Sequence, residues 1–315
     1  MSRKTWVSLL KWALTLFAAV MIARKIEFRA ILPLLGQCRL GYLFLSVAAM
    51  VAGSLLATWR WKILWNRPEL AFRKYLFFVY MGYFFSSFLP SAAVSEAIRV
   101  LAFGRKYGDM QQNIGVNLFA RGIGIAIQFG LAAVSLIYFR EDLRRLDFFR
   151  ALKVDTRALA AAAALLMAAV GLVYVFRAKL ARQPWLAEML RLLGNPGQVF
   201  VATLISFLIQ LASILSTWFI FLSVYPAVKL WQIMFFPAII QVILILPISF
   251  GGMGVREYLN LLFFSDIAGI PKDTTFAVSI LGYVPVFALA LAGGAWMAFR
   301  KYQSARETPE GGKTP

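Results

Sequence analysis

The sequence predicts an all-α integral membrane protein, a polytopic bundle of about six to eight transmembrane helices. Composition is the first observation behind this. Of the 315 residues 61% are hydrophobic and 15% charged, whereas a soluble domain carries about a quarter charged residues. The second is a series of eight apolar stretches long enough to enter or cross a hydrocarbon layer of roughly 30 Å, which takes about 20 helical residues. The third is their pattern. The stretches lack the alternation of barrel strands, and backbone amides in lipid must bond within their own segment, so helices are the expected form.

The stretches run Thr5–Ala23, Gly41–Thr58, Tyr75–Val94, Ile114–Phe139, Ala158–Phe176, Val199–Tyr225, Leu230–Phe250 and Thr275–Phe299. Arg3 and Lys4 precede the first and Arg24 and Lys25 follow it. Its apolar part exceeds the roughly 7–15-residue core of a signal peptide, so it reads as a span with a stop-transfer flank. Between the second and third stretches, Trp59–Lys74 interleaves tryptophans with Arg and Lys and is expected at the headgroup level. Arg140–Arg157 spaces Leu143, Leu146, Phe149 and Leu152 as on a surface-lying amphipathic helix. Pro184–Gln198 is a weaker case, with Gly194, Pro196 and Gly197 ending any helix. Residues 1–303 therefore form a single membrane domain, and Ser304–Pro315 reads as a disordered cytoplasmic tail.

Several function classes drop out on composition. Cys38 stands alone, so no internal disulfide framework exists, and histidine is absent, which removes the commonest metal ligand and general base. No metal site, cofactor or catalytic residue is assigned. The net charge of +19 arises from 33 Lys and Arg against 14 Asp and Glu. These charges are scattered through the membrane-flanking loops, which points to anionic lipid headgroups and away from nucleic acid.

An internal repeat is visible. Leu89-Pro90 is followed nine residues after the proline by Arg99, and Leu246-Pro247 is followed nine after the proline by Arg256. Both copies end an apolar stretch and begin a polar, small-residue turn, and such interruptions at matching places in two halves point to a transporter site. If both broken elements span, the chain crosses eight times. If each is a re-entrant hairpin it crosses six times, and repeat A (about 5–139) and repeat B (about 158–299) are inverted copies, the arrangement preferred here. The distribution of Arg and Lys places both termini in the cytoplasm in either case, without separating the two.

Charges inside this apolar chain form the candidate site. Arg121 lies eight residues into its stretch, with Asn117 and Gln128 on nearby turns; an Arg at the centre of a membrane helix costs about 2.5–3.5 kcal/mol on insertion scales. It either snorkels to an interface or is compensated. The repeat motifs add Glu96 with Arg99 and Arg256 with Glu257. Three guanidiniums, Arg99, Arg121 and Arg256, can hold a phosphate through bidentate bonds, with Glu96 and Glu257 orienting them or carrying protons. Gly251, Gly252 and Gly254 let the backbone turn tightly and offer amides to an anion.

The segments LPISFGGMGVREY (Leu246–Tyr258), GYFFSSFLPSAAVSEAIRVLAF (Gly82–Phe103) and WRWKILW (Trp59–Trp65) resemble the lysylphosphatidylglycerol synthase transmembrane family, the flippase-like domain also found in the multiple peptide resistance factor. The resemblance covers roughly residues 5 to 300, and its glycine-rich motif is intact. The first motif departs from it. Members usually carry two glycines and an aspartate where this chain has Val94, Ser95 and Glu96, and the acid that often precedes the embedded Arg is Ala120 here. The resemblance implies translocation of an anionic or phosphate-bearing lipid in envelope lipid biosynthesis, in a bacterial-type inner membrane. No ATP-binding motif is present, so movement runs downhill or on an ion gradient. The alternatives are a membrane-embedded lipid-modifying enzyme, with Glu96 or Glu257 as base, and an accessory subunit of a lipid synthase or glycosyltransferase. Only Ser304–Pro315 follows the last stretch, so lysyl transfer by this chain is not expected.

Overall fold

The computed structural model describes residues 36, 38–87, 92–139, 183–244 and 254–307, and all regular secondary structure among them is helical. Helix α1 is Leu40–Trp65, α2 Phe72–Ser86, α3 Ala92–Tyr107 and α4 Met110–Tyr138. The second half holds α5 (Pro184–Leu193), α6 (Pro196–Val224), α7 (Leu230–Leu244) and α8 (Val255–Asn260). A π-helical continuation, Leu261–Ile267, leads on to α9 (Lys272–Leu281) and α10 (Tyr283–Glu307).

Among the described residues, four segments are long and apolar enough to cross a membrane: Leu40–Trp65, Met110–Ser135, Pro196–Val224 and Lys272–Phe299, of 26 to 29 residues. The chain is thus a polytopic helical membrane protein. By contrast α2 and α7 have 15 residues each, or about 22 Å of helix, short of the layer. They belong to the two stretches that contain the Pro-broken motifs. Thr5–Ala23, Arg140–Arg157, Ala158–Phe176, Pro90, Pro247, Gly251 and Gly252 lie outside the described residues.

Element boundaries differ from the sequence expectation in informative places. The helix α1 continues through WRWKILW, past Thr58 where its apolar stretch ends. Helical spacing puts Trp61, Leu64 and Trp65 on one buried face, while Trp59 points outward at 51% exposure. Tyr75 and Phe103 close on Trp61, with ring centroids 5.5 and 4.7 Å away. Asn66 then stops the helix in a left-handed conformation, φ 49°, its N–H donating to the Lys62 carbonyl at 3.1 Å. At 194–198 the Gly-Pro cluster both ends α5 and starts α6. Asn195 Oδ1 accepts from the Gln198 N–H at 3.2 Å, and Pro196 takes the first turn, where no amide is needed. The last stretch is interrupted at Gly282, and α10 runs to Glu307, into the segment expected to be tail.

The packing is built around α1 lying along α6. Small and hydroxylated residues permit the approach: the Ser46 and Ser216 hydroxyls meet at 2.9 Å, and a Cβ on Gly53 would stand 3.4 Å from that of Ala212. Around this pair α2 packs on α10 and α7 on α4, while α4 also touches α6 and α10 touches α1. Exchanging α1 with α6, α2 with α7 and α4 with α10 maps these four contacts onto one another, although α1 also packs on α4 with no comparable contact between α6 and α10 among the described residues.

Candidate functional site

Two helices and one carboxylate make the first site. Glu96 and Arg99 stand three residues apart on α3, and Arg99 Nη2 reaches Glu96 Oε1 at 3.3 Å. Arg121 enters from α4 and donates from Nη1 to the other carboxylate oxygen, Oε2. Glu96 therefore bridges two guanidiniums. Arg99 is the more enclosed, its side chain 17% exposed against 41% for Arg121 and 33% for Glu96.

A polar network fixes Arg99 from behind. Its Nη2 also donates to Asn117 Oδ1 at 3.3 Å, Asn117 Nδ2 donates to Asn113 Oδ1 at 3.0 Å, and Asn113 Nδ2 donates to the Val100 carbonyl at 2.7 Å. Trp61 Nε1 completes the chain by donating to Asn113 Oδ1 at 2.9 Å. The indole then does a second thing: the Arg99 guanidinium lies 4.9 Å from its ring centroid, a cation–π contact that strengthens where water is excluded. On the other flank Gly82 of α2 makes room for the Arg99 stem, since a Cβ there would stand 3.2 Å from Arg99 Cδ.

Asn113, Asn117 and Arg121 fall on one stripe of α4 at intervals of four, a pattern legible in the sequence that singles out all three. Trp61 and Asn113 were not among the residues read as site residues. Nothing in an isolated Trp next to Arg60 distinguishes a site tryptophan from an interfacial one.

Arg256 and Glu257 stand elsewhere. Gly254, at φ +81°, begins α8, and its N–H donates to Glu257 Oε2 at 2.6 Å. Tyr283 Oη donates to the other oxygen, Oε1, at 2.7 Å. With both oxygens engaged and 7% of its surface exposed, Glu257 closes the first turn of α8 as the acidic half of a capping box does. Arg256 lies 5.7 Å from the ring centroid of the same Tyr283 and lines a cavity of about 230 Å³. Ser213, Ser216, Thr217, Gln241, Asn260 and Ser279 give that cavity a polar wall. Neither Glu96, Arg99 nor Arg121 lines it, and no hydrogen bond or ion pair joins the two groups among the described residues.

Chemically, the first group is an anion cradle already holding one carboxylate: two guanidiniums from two helices, a hydrogen-bonded backing and an open side at Arg121. Among the described residues no group of three His, Cys, Asp or Glu is placed to hold a metal. No curated protein matches the chain. The family model for the lysylphosphatidylglycerol synthase TM region matches residues 8–294. Spanning that much of its length, the match shows that the chain belongs to the lysylphosphatidylglycerol synthase transmembrane-region family.

Proposed function

We propose that the protein is a flippase or scramblase for an anionic, phosphate-bearing lipid of the bacterial inner membrane, with its termini in the cytoplasm and its halves arranged as inverted repeats. The observation that carries this reading is the Glu96 carboxylate held between Arg99 and Arg121. A carboxylate bridging two guanidiniums occupies the position a phosphate oxygen pair would take, so a headgroup can replace it without new donors. The exposed side at Arg121 is the entry, and the Trp61–Asn113–Asn117 backing keeps Arg99 oriented while the carboxylate leaves.

Support for the repeat arrangement comes from the exchangeable packing pairs and from the two 15-residue helices. Each short helix precedes a motif of the form LP-x8-R, as a re-entrant element in each repeat would require. Glu96, partly exposed and shared by two Arg, is the residue placed to change partner or protonation during a cycle. Glu257 serves the fold of α8.

The test is reconstitution of the full chain in liposomes with headgroup-labelled phosphatidylglycerol, phosphatidic acid, polyprenyl phosphate and phosphatidylcholine. Expected are transbilayer movement of anionic lipid above protein-free vesicles and its loss by at least about tenfold in Arg99→Gln and Arg121→Gln. No movement of any of these lipids above protein-free vesicles overturns the reading.

A further inference from the structure

Arg60 is a charged side chain near the cluster that the proposed function leaves unused. It precedes Trp61, the ring under the Arg99 guanidinium. Its Nη1 donates to Ser206 Oγ on α6 at 2.6 Å and lies 4.0 Å from where a Cβ on Gly124 would stand. Gly124 follows Arg121 by three residues on α4, so Arg60 reaches the same side of that helix one turn further on. Nε of Arg60 and Nε of Arg99 are both buried without a hydrogen-bond partner among the described residues.

Glu96 thus bridges the guanidiniums of α3 and α4, and a third guanidinium, from α1, stands one turn along the same side of α4, for a net charge of +2 among these four side chains. A phosphodiester headgroup brings a single negative charge and leaves part of this excess uncompensated. A phosphomonoester brings about −1.5 to −2 at neutral pH, its second ionisation falling near pH 6.

We infer that Arg60 is a third anion-binding guanidinium of this site, and that the site prefers a lipid ending in a phosphomonoester over one carrying a phosphodiester. This rests on reading Glu96, Arg99 and Arg121 as a headgroup site. The competing role for Arg60 is purely structural, a tie from α1 to α6 through Ser206. That role predicts no headgroup discrimination.

The experiment is titration of the purified full chain in detergent, read by tryptophan fluorescence, with short-chain phosphatidic acid, short-chain phosphatidylglycerol and glycerol 3-phosphate. Near pH 7.5, phosphatidic acid should bind at least about tenfold more tightly than phosphatidylglycerol, a modest return for one extra charge near a protein surface. The advantage should shrink near pH 5, where the phosphomonoester returns to a single charge. Arg60→Gln should weaken phosphatidic acid at least about tenfold more than phosphatidylglycerol and so abolish the preference; Arg60→Lys should keep much of it, and Ser206→Ala nearly all. Glycerol 3-phosphate, with the same charged group and no acyl chains, should bind at least about tenfold more weakly than phosphatidic acid.

Equal affinity for the two lipids in the unaltered protein overturns the inference and leaves the headgroup reading standing. Equal loss of both lipids in Arg60→Gln assigns Arg60 to structure and overturns it too. Glycerol 3-phosphate binding as tightly as phosphatidic acid overturns the lipid source in favour of a free anion. If none of the three binds, the headgroup reading itself fails.

Discussion

Glu96 sets two guanidiniums at ease with each other, and its replacement separates electrostatics from shape. Glu96→Gln keeps the size and one acceptor but removes the charge between Arg99 and Arg121. For a partly exposed bridge we predict a loss of about 1–2 kcal/mol, seen as a lower melting temperature in neutral detergent. Phosphatidylglycerol should restore most of that loss in the variant, by supplying the missing anion. An unchanged melting temperature would mean that the bridge adds nothing to the fold. Gly82 gives a steric counterpart. A Val there drives a branched side chain into the Arg99 stem, 3.2 Å from where its Cβ would stand. Transport is expected to fall at least about tenfold in Gly82→Val, while Gly130→Ala, in open space, leaves it unchanged. At this scale the sequence was legible where a charge interrupts an apolar run, as Arg121 does with Asn117 one turn before. It was not legible at Arg60, because Trp59, Trp61 and Lys62 around it look like a headgroup belt. Only the burial of Trp61 against Tyr75 and Phe103 shows that this end of α1 turns inward.

Among the helices, the short ones carry the functional argument and the caps decide where they begin. The helix α8 starts on a glycine at positive φ and is closed by Glu257, so the Gly254–Glu257 run is a structural device as much as a candidate ligand contact. Tyr283→Phe removes one donor to that carboxylate and should cost about 1 kcal/mol. Glu257→Ala strands both the Gly254 N–H and the Tyr283 hydroxyl and should cost about 2–4 kcal/mol, with faster amide hydrogen exchange over 254–260. Normal protection there in Glu257→Ala would contradict the capping role. Helix existence could be read from the sequence because a run of about 20 apolar residues has few other solutions in a membrane. The endings were harder. The extension of α1 to Trp65 follows from tertiary contacts of two tryptophans, and the interruption at Gly282 sits inside a run that hydropathy alone joins to Phe299. Gly293 shows the same dependence on neighbours: a Cβ there would overlap the Tyr80 carbonyl oxygen, so α10 can lie against α2 only with glycine at that position.

For the molecule as a whole, the proposal of inverted repeats makes a sidedness prediction that the eight-span arrangement does not share. Glu69, between α1 and α2, and Ala227, between α6 and α7, are exposed and occupy matching places in the two halves. In a Cys38→Ser background, Glu69→Cys and Ala227→Cys should be reached by impermeant thiol reagents from opposite faces of the membrane. Labelling from the same face would require α2 and α7 to belong to full spans. The family membership and the helical membrane fold were readable from composition and from three motifs, since both are properties of long segments. The grouping of charges was readable only in part: Glu96, Arg99 and Arg121 meet, whereas Arg256 lines a cavity of its own. Sequence spacing relates each Arg to its own proline but says nothing about which helices bring the two copies together. The central claim, that the Glu96–Arg99–Arg121 group holds an anionic lipid headgroup, is tested most directly by native mass spectrometry of the protein released from lipid nanodiscs of mixed headgroup. The unaltered chain should retain anionic phospholipid in preference to phosphatidylcholine, and the Arg99→Gln, Arg121→Gln double variant, still folded, should lose that preference. Retention of the same lipids in the same proportions by both proteins would contradict it.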